Sequence, residues 1–148
     1  MICTFFGHRS VPEKTEEVLR KTIIDMIENC SVDLFYVGNH GQFDHMVSRV
    51  LQELSEKYSI KYYVVLAYIP VGNSQIMYDE YINTILPDGI EFVPKRYAIN
   101  YRNKWMIEQA DCVVTYITNH IGSRAAVFKN IAERKGKKVI ELGITDKL

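Results

Sequence analysis

The stretch "IKYYVVLAYI", residues 60–69, constrains the fold more than any other part of the chain. It is almost unbroken in apolar side chains. A strand with one wet face alternates apolar and polar residues, whereas a strand covered on both faces reads as a continuous apolar run. Shorter runs of the same kind occur at "ICTFF" (2–6), "DLFYVG" (33–38), "CVVTYI" (112–117) and "KKVIEL" (137–142). Between them lie stripes with helical spacing. Val18, Leu19, Ile23, Met26 and Ile27 mark a helix over 12–29, with Pro12 in its first turn and Ser10 placed to cap it. Phe43, Met46, Val47, Val50, Leu51 and Leu54 mark a second helix, with Asp44 as its candidate cap. Ile99, Asn103, Met106, Ile107 and Ala110 mark a helix over 99–110. A last helix, 122–136, opens and closes at glycine.

The pattern is weaker from Pro70 to Pro94. There "IMYDEYINTIL" reads as a short helix and "GIEFV" as a short strand. The resulting order, β-α-β-α-β-(α/β)-α-β-α-β, predicts an α/β fold. Its sheet is mostly parallel and doubly wound, with helices on both faces. No linker or repeat divides the 148 residues, so residues 1–148 are expected to form one domain.

Composition narrows the function classes. Lys+Arg and Asp+Glu both number 18, giving zero formal net charge. Phosphate-tracking proteins usually carry a positive excess, so nucleic acid is not the expected partner. Cys3, Cys30 and Cys112 are widely spaced, without a CxxC, which argues against a zinc site or a disulfide framework. Cys3 and Cys112 sit in apolar runs as buried thiols. No His-x-His or His-x-x-x-His pair suggests a metal. The N-terminus enters a strand without a charged leader, and no apolar run is long enough to span a bilayer. A soluble, cytoplasmic protein without a membrane partner is expected.

In a doubly wound sheet, ligands bind beyond the carboxyl ends of the strands, near the switch in strand order. Four loops qualify: "GHR" (7–9), "GNHGQFD" (38–44), "YIPVGN" (68–73) and "TNHIGSR" (118–124). Three combine glycine with a polar or basic residue before a helix. Helix N-termini offer free N–H groups and positive potential, and Arg9 and Arg124 suit bidentate phosphate contacts. Neither GxGxxG nor GxxxxGK[ST] occurs. His8, His40 and His120 all lie in such loops and could converge. Asp44 could alternatively meet a ribose hydroxyl. Tyr62, Tyr63, Tyr68, Tyr78, Tyr81, Tyr97 and Tyr101 crowd the middle third, suited to stacking on a base or to a homo-oligomer surface.

"CTFFGHR", "FYVGNHGQFDHMV", "VVLAYIP" and "RNKWMIEQADCVVTYI" together resemble the YpsA-like branch of the SLOG superfamily. That superfamily joins the DprA/Smf DNA-processing proteins and the LOG phosphoribohydrolases. The resemblance covers nearly the whole chain. It implies a Rossmann-like fold that binds a nucleotide or nucleotide-derived ligand as a sensor or regulatory module. LOG hydrolases carry an arginine in "ERKxxM" and a catalytic glutamate in "PGGxGTxxE". Arg102 of "YRNKWM" falls at the arginine, and Gly122-Ser123 at the Gly-Thr. Ala126 stands where the glutamate belongs, so catalysis is not expected.

The expected ligand-binding set is thus Gly7, His8, Arg9, Gly38, Asn39, His40, Gly41, Asp44, Arg102, Asn103, Gly122, Ser123 and Arg124. No catalytic residue, metal or cofactor is assigned. The alternatives are an N-glycosidic hydrolase acting on a nucleoside monophosphate and a DprA-like single-stranded DNA binder, the latter using Lys95, Arg96, Arg102 and Lys104 as a strip.

Overall fold

The computed structural model describes residues 1–68, 83–118 and 122–142. Within them, six strands form one parallel sheet in the order β4-β3-β2-β1-β5-β6. The strands are β1 (Ile2–Gly7), β2 (Leu34–Val37), β3 (Lys61–Val65), β4 (Thr84–Ile85), β5 (Cys112–Tyr116) and β6 (Lys138–Glu141). Four helices flank them: α1 (Thr15–Asn29), α2 (Gln42–Ser55), α3 (Lys95–Gln109) and α4 (Arg124–Arg134). The expected α/β, doubly wound architecture is therefore what the chain adopts. The continuous apolar runs have the predicted cause. On β1, Cys3 and Phe5 enter a core with Leu19, Ile23 and Met26 of α1 and Phe43, Val47 and Leu51 of α2. Phe6 enters a second core with Met106 and Ile107 of α3 and Phe128 and Ala132 of α4. Both sheet faces are thus dry, and each fully buried large side chain contributes roughly 1.5–3 kcal/mol.

β1 lies at the centre, pairing Cys3 with Phe35 of β2 on one side and with Cys112 of β5 on the other. The chain winds outward through β2, β3 and β4, then returns to β5. The switch point falls between β1 and β5, and their carboxyl ends open a crevice there. Cys3 and Cys112 are both buried free thiols.

Local readings need correction at several ends. α1 starts at Thr15, because the Thr15 and Glu16 N–H groups donate to Pro12 and Glu13 carbonyls (3.0 and 3.1 Å) in a turn outside the helix. Its cap position is Lys14, without a side-chain bond, and Ser10 lies too far upstream to serve. α3 begins at Lys95, a turn earlier than the apolar stripe. "GIEFV" is not a strand. Gly89 adopts φ 81°, which breaks the extended path, and Ile90–Phe92 form a 3-10 turn that buries Ile90 against Ala67 and Ala98. The end of the predicted helix "IMYDEYINTIL" is instead the edge strand β4, with the Leu66 N–H donating to the Ile85 carbonyl (2.9 Å). The rest of that segment, with Tyr78, Tyr81 and most of "YIPVGN", lies outside the described residues, as do Asn119 and His120. No helix among the described residues is long and apolar enough to cross a membrane.

Candidate nucleotide-binding cleft

A cleft of about 490 Å³ opens at the switch point. Its floor is apolar: Phe5, Phe6, Met106 and Phe128. Its polar wall comes from four places in the chain. Gly7, His8 and Arg9 follow β1, His40 and Asp44 follow β2, Arg102 and Asn103 descend from α3, and Ser123 and Arg124 open α4. The volume falls in the range typical of small-ligand sites.

Arg102 organises one side. A helix feeding a parallel strand runs antiparallel to it, so the first half of α3 lies at the carboxyl edge of the sheet. This packing turns Arg102 inward, leaving it 2 % exposed. Its Nε donates to Asn103 Oδ1 (2.7 Å), and its Nη1 donates to the Val65 carbonyl (2.8 Å) and Asn39 Oδ1 (3.1 Å). Its Nη2 lies 3.3 Å from His40 Nδ1. The guanidinium thus joins the β2 loop, the end of β3 and its own helix. Most of its donors are committed to protein partners, so it positions the loop. Arg9 and Arg124 are the exposed guanidiniums of the cleft.

The loop "GNHG" is packed as tightly as it reads. Gly38 is buried, and a Cβ there would lie 2.7 Å from Asp44 Oδ2 and 3.1 Å from Arg102 Cζ. Gly41 has φ 91°, and a Cβ there would sit 2.9 Å from the Arg9 α-carbon. Internal crowding therefore explains these two glycines. Gly38, Asn39 and Gly41 do not line the cleft; they support His40 and Asp44, which do. Gly122, at φ 74°, precedes the lining pair Ser123-Arg124.

Asp44 is not the cap of α2. Gly41 holds the cap position, and Asp44 sits in the first turn, reaching back so that its Oδ2 accepts the His40 N–H (3.0 Å). A carboxylate in a first turn favours the helix dipole. Burial nevertheless raises its pKa to about 6, against the pull of the His40 N–H and the Arg102 charge. It is the sole carboxyl among the described lining residues. Burial, aided by the Arg102, Arg9 and Arg124 charges, lowers the pKa of His40. His8 accepts the Thr118 N–H at Nε2 (2.8 Å), which leaves that nitrogen unprotonated, and meets Tyr116 edge-on. Ser123 caps α4, its Oγ accepting the Ala126 N–H (3.1 Å). Ala126 packs with Ile117 and Ala125 and brings no carboxylate to the cleft.

Two exposed guanidiniums and two helix N-termini at a switch point suit a phosphorylated ligand. Among the described residues, no group of three or more His, Cys, Asp or Glu side chains is placed to hold a metal ion. Sequence reasoning could not recognise Arg102 as an internal anchor; its one signal was a cation at helical spacing from Met106 on a buried face.

Sheet order and cleft position define a Rossmann-like α/β protein with a cleft at the carboxyl ends of β1 and β5. No protein-family model matches the sequence, and neither does any curated protein. Among solved structures, the fold is similar to DNA processing protein A (DprA) of Streptococcus pneumoniae, with TM-score 0.67 and 13 % identity over 94 % of this chain. It is similar also to DprA of Helicobacter pylori, solved for its single-stranded DNA binding mode, with TM-score 0.66 and 14 % identity over 95 % of this chain. The chain spans 49 % and 64 % of the length of those two proteins. The likeness is one of fold. It also overturns the expectation drawn from zero net charge that nucleic acid is not a partner class. Net charge averages over the whole surface, whereas cations gathered at one edge set the local potential.

Proposed function

We propose that this domain binds single-stranded nucleic acid, seating one nucleotide with its phosphate in the cleft. The supporting observation is the convergence of Arg9 and Arg124, both exposed, on a pocket whose far wall is held by the buried Arg102. The likeness to DprA adds to this reading, since one of those proteins binds single-stranded DNA. Phosphate enters between the β1 loop and the start of α4, and the sugar and base lie over the apolar floor. Fluorescence anisotropy with a labelled oligothymidylate tests it. Binding should weaken with salt, and Arg9→Ala should reduce the logarithmic salt slope by roughly 0.7, the value for one single-strand phosphate contact. Failure to bind, or an unchanged affinity and slope in both Arg9→Ala and Arg124→Ala, refutes it.

A second reading, a free nucleotide-derived ligand bound by a YpsA-like regulatory module, is favoured by the apolar floor and the cleft volume of about 490 Å³. Competition separates the two. A mononucleotide that saturates the cleft while oligothymidylate fails to bind selects the second.

A further inference from the structure

The basic strip expected on the third helix changes character in the fold. Arg102 leaves it for the cleft wall, and three aromatic rings join it. Residues 92–107 contain four cations (Lys95, Arg96, Arg102 and Lys104) and no carboxylate. Phe92 is 85 % exposed, Tyr97 51 % and Tyr101 37 %. Tyr97, Tyr101 and Lys104 follow one another at helical spacings of four and three, so they share the outer face of α3. The Tyr101 hydroxyl donates to the Asp88 carbonyl (2.6 Å), which fixes its ring.

Two further observations indicate what covers this face. The first is electrostatic. Lys95 and Arg96 occupy the first turn of α3, which holds no acidic residue. Helix N-termini favour anions, so two cations there are locally misplaced unless an anion joins them. The second is continuity with the cleft. The His40 ring meets Tyr68 edge-on (6.2 Å between centroids), the Lys95 ammonium lies 5.2 Å above the Tyr68 ring, and Arg96 lies 4.8 Å above Tyr97. Alternating rings and cations therefore lead from the cleft around the start of α3.

We propose that this strip is the track on which unpaired bases of a single strand stack once the strand leaves the cleft, their phosphates meeting Lys95, Arg96 and Lys104. Aromatic faces beside a cationic path are how single strands are held without sequence preference. The proposal rests on the single-strand reading of the cleft and adds the direction in which the strand runs.

The test compares a dinucleotide, which reaches only the cleft, with a long oligothymidylate. Phe92 and Tyr97 are exposed, so a Phe92→Ala/Tyr97→Ala variant should fold, as circular dichroism checks. It should lose on the order of tenfold or more in affinity for the long oligomer. Its dinucleotide affinity should not change, and Tyr97→Phe should retain long-oligomer binding. Equal weakening for both lengths, or for neither, overturns the track. If the variant alters the sedimentation coefficient while oligomer affinity holds, the face joins two copies of the chain, and the proposal is wrong. If the wild type binds neither length, the reading of the cleft itself fails, and the track with it.

Discussion

Asp44 and Arg102 close on the same α-carbon, that of Gly38, from two different helices. A Cβ there would stand 2.7 Å from the carboxyl of one and 3.1 Å from the guanidinium carbon of the other. The β2 loop is therefore clamped between the two side chains that shape the cleft wall. Gly38→Ala should destabilise the fold by about 1–3 kcal/mol, the usual cost of overpacking a tight site. Urea unfolding measures it, and a change within about half a kcal/mol would show that the clamp gives way freely.

Asp44 makes stability depend on pH in a definite direction. Burial raises its pKa from 3.8 to about 6, so the native state holds that proton more tightly than the unfolded chain does. The resulting stabilisation is fully present below about pH 4 and is lost as pH rises to about 6. Asp44→Asn removes this dependence while leaving an oxygen to accept the His40 N–H. Its stability relative to wild type should rise across that window by about 1–2 kcal/mol, below the ceiling of about 3 set by two pKa units, because the residue is only partly covered. Thermal melts across the window would show parallel curves if the carboxyl were ordinary.

The same proton affects binding. An ionised Asp44 opposes a phosphate, and His40, with its pKa lowered, adds positive charge only on the acid side of neutrality. Affinity for an oligothymidylate should increase as pH falls through about 6 in the wild type and increase less in Asp44→Asn. Identical pH profiles would remove Asp44 from the anion's surroundings.

Arg102 can be separated from the exposed arginines by its effect on folding. Arg102→Ala strands the Val65 carbonyl and the side chains of Asn39 and Asn103, each now lacking its donor. A loss of about 2–4 kcal/mol is expected, whereas Arg9→Ala, at an exposed position, should cost under about 0.5. Similar losses from both would place Arg102 at the surface.

The α4 cap gives a smaller effect. Ser123→Ala removes the acceptor of the Ala126 N–H and should cost about 1 kcal/mol, with Ser123→Asp close to wild type. A destabilised Ser123→Asp would show that the position serves something other than capping.

The strands and helices were legible because their cores impose periods: two dry sheet faces at β1 and β5, and one apolar stripe each on α1 and α2. Legibility failed where tertiary contacts overrule local pattern. "GIEFV" is rich in strand formers, yet Gly89 adopts a left-handed conformation and the segment coils. Asp44 looks like a cap three residues from where the cap stands, because a carboxylate in a first turn can reach back as well as forward. The resemblance puts Arg102 at a binding motif, but its burial depends on how α3 packs, which sequence spacing does not encode. Residues of three strand-end loops, 7–9, 38–44 and 118–124, line one cleft, since sheet topology dictates where a crevice opens.

The central place of β1 also bears on how the chain assembles. One partner of β1, β2, is the next strand along the chain, but its other partner, β5, lies far downstream, with Cys3 opposite Cys112. A chain ending before Asp111 could form β1 to β4 and bury the core under α1 and α2, yet β1 would be left as an open, apolar edge. Such an intermediate invites pairing with another chain. Pairing β5 with β1 closes a long loop, the kind of non-local contact that slows folding.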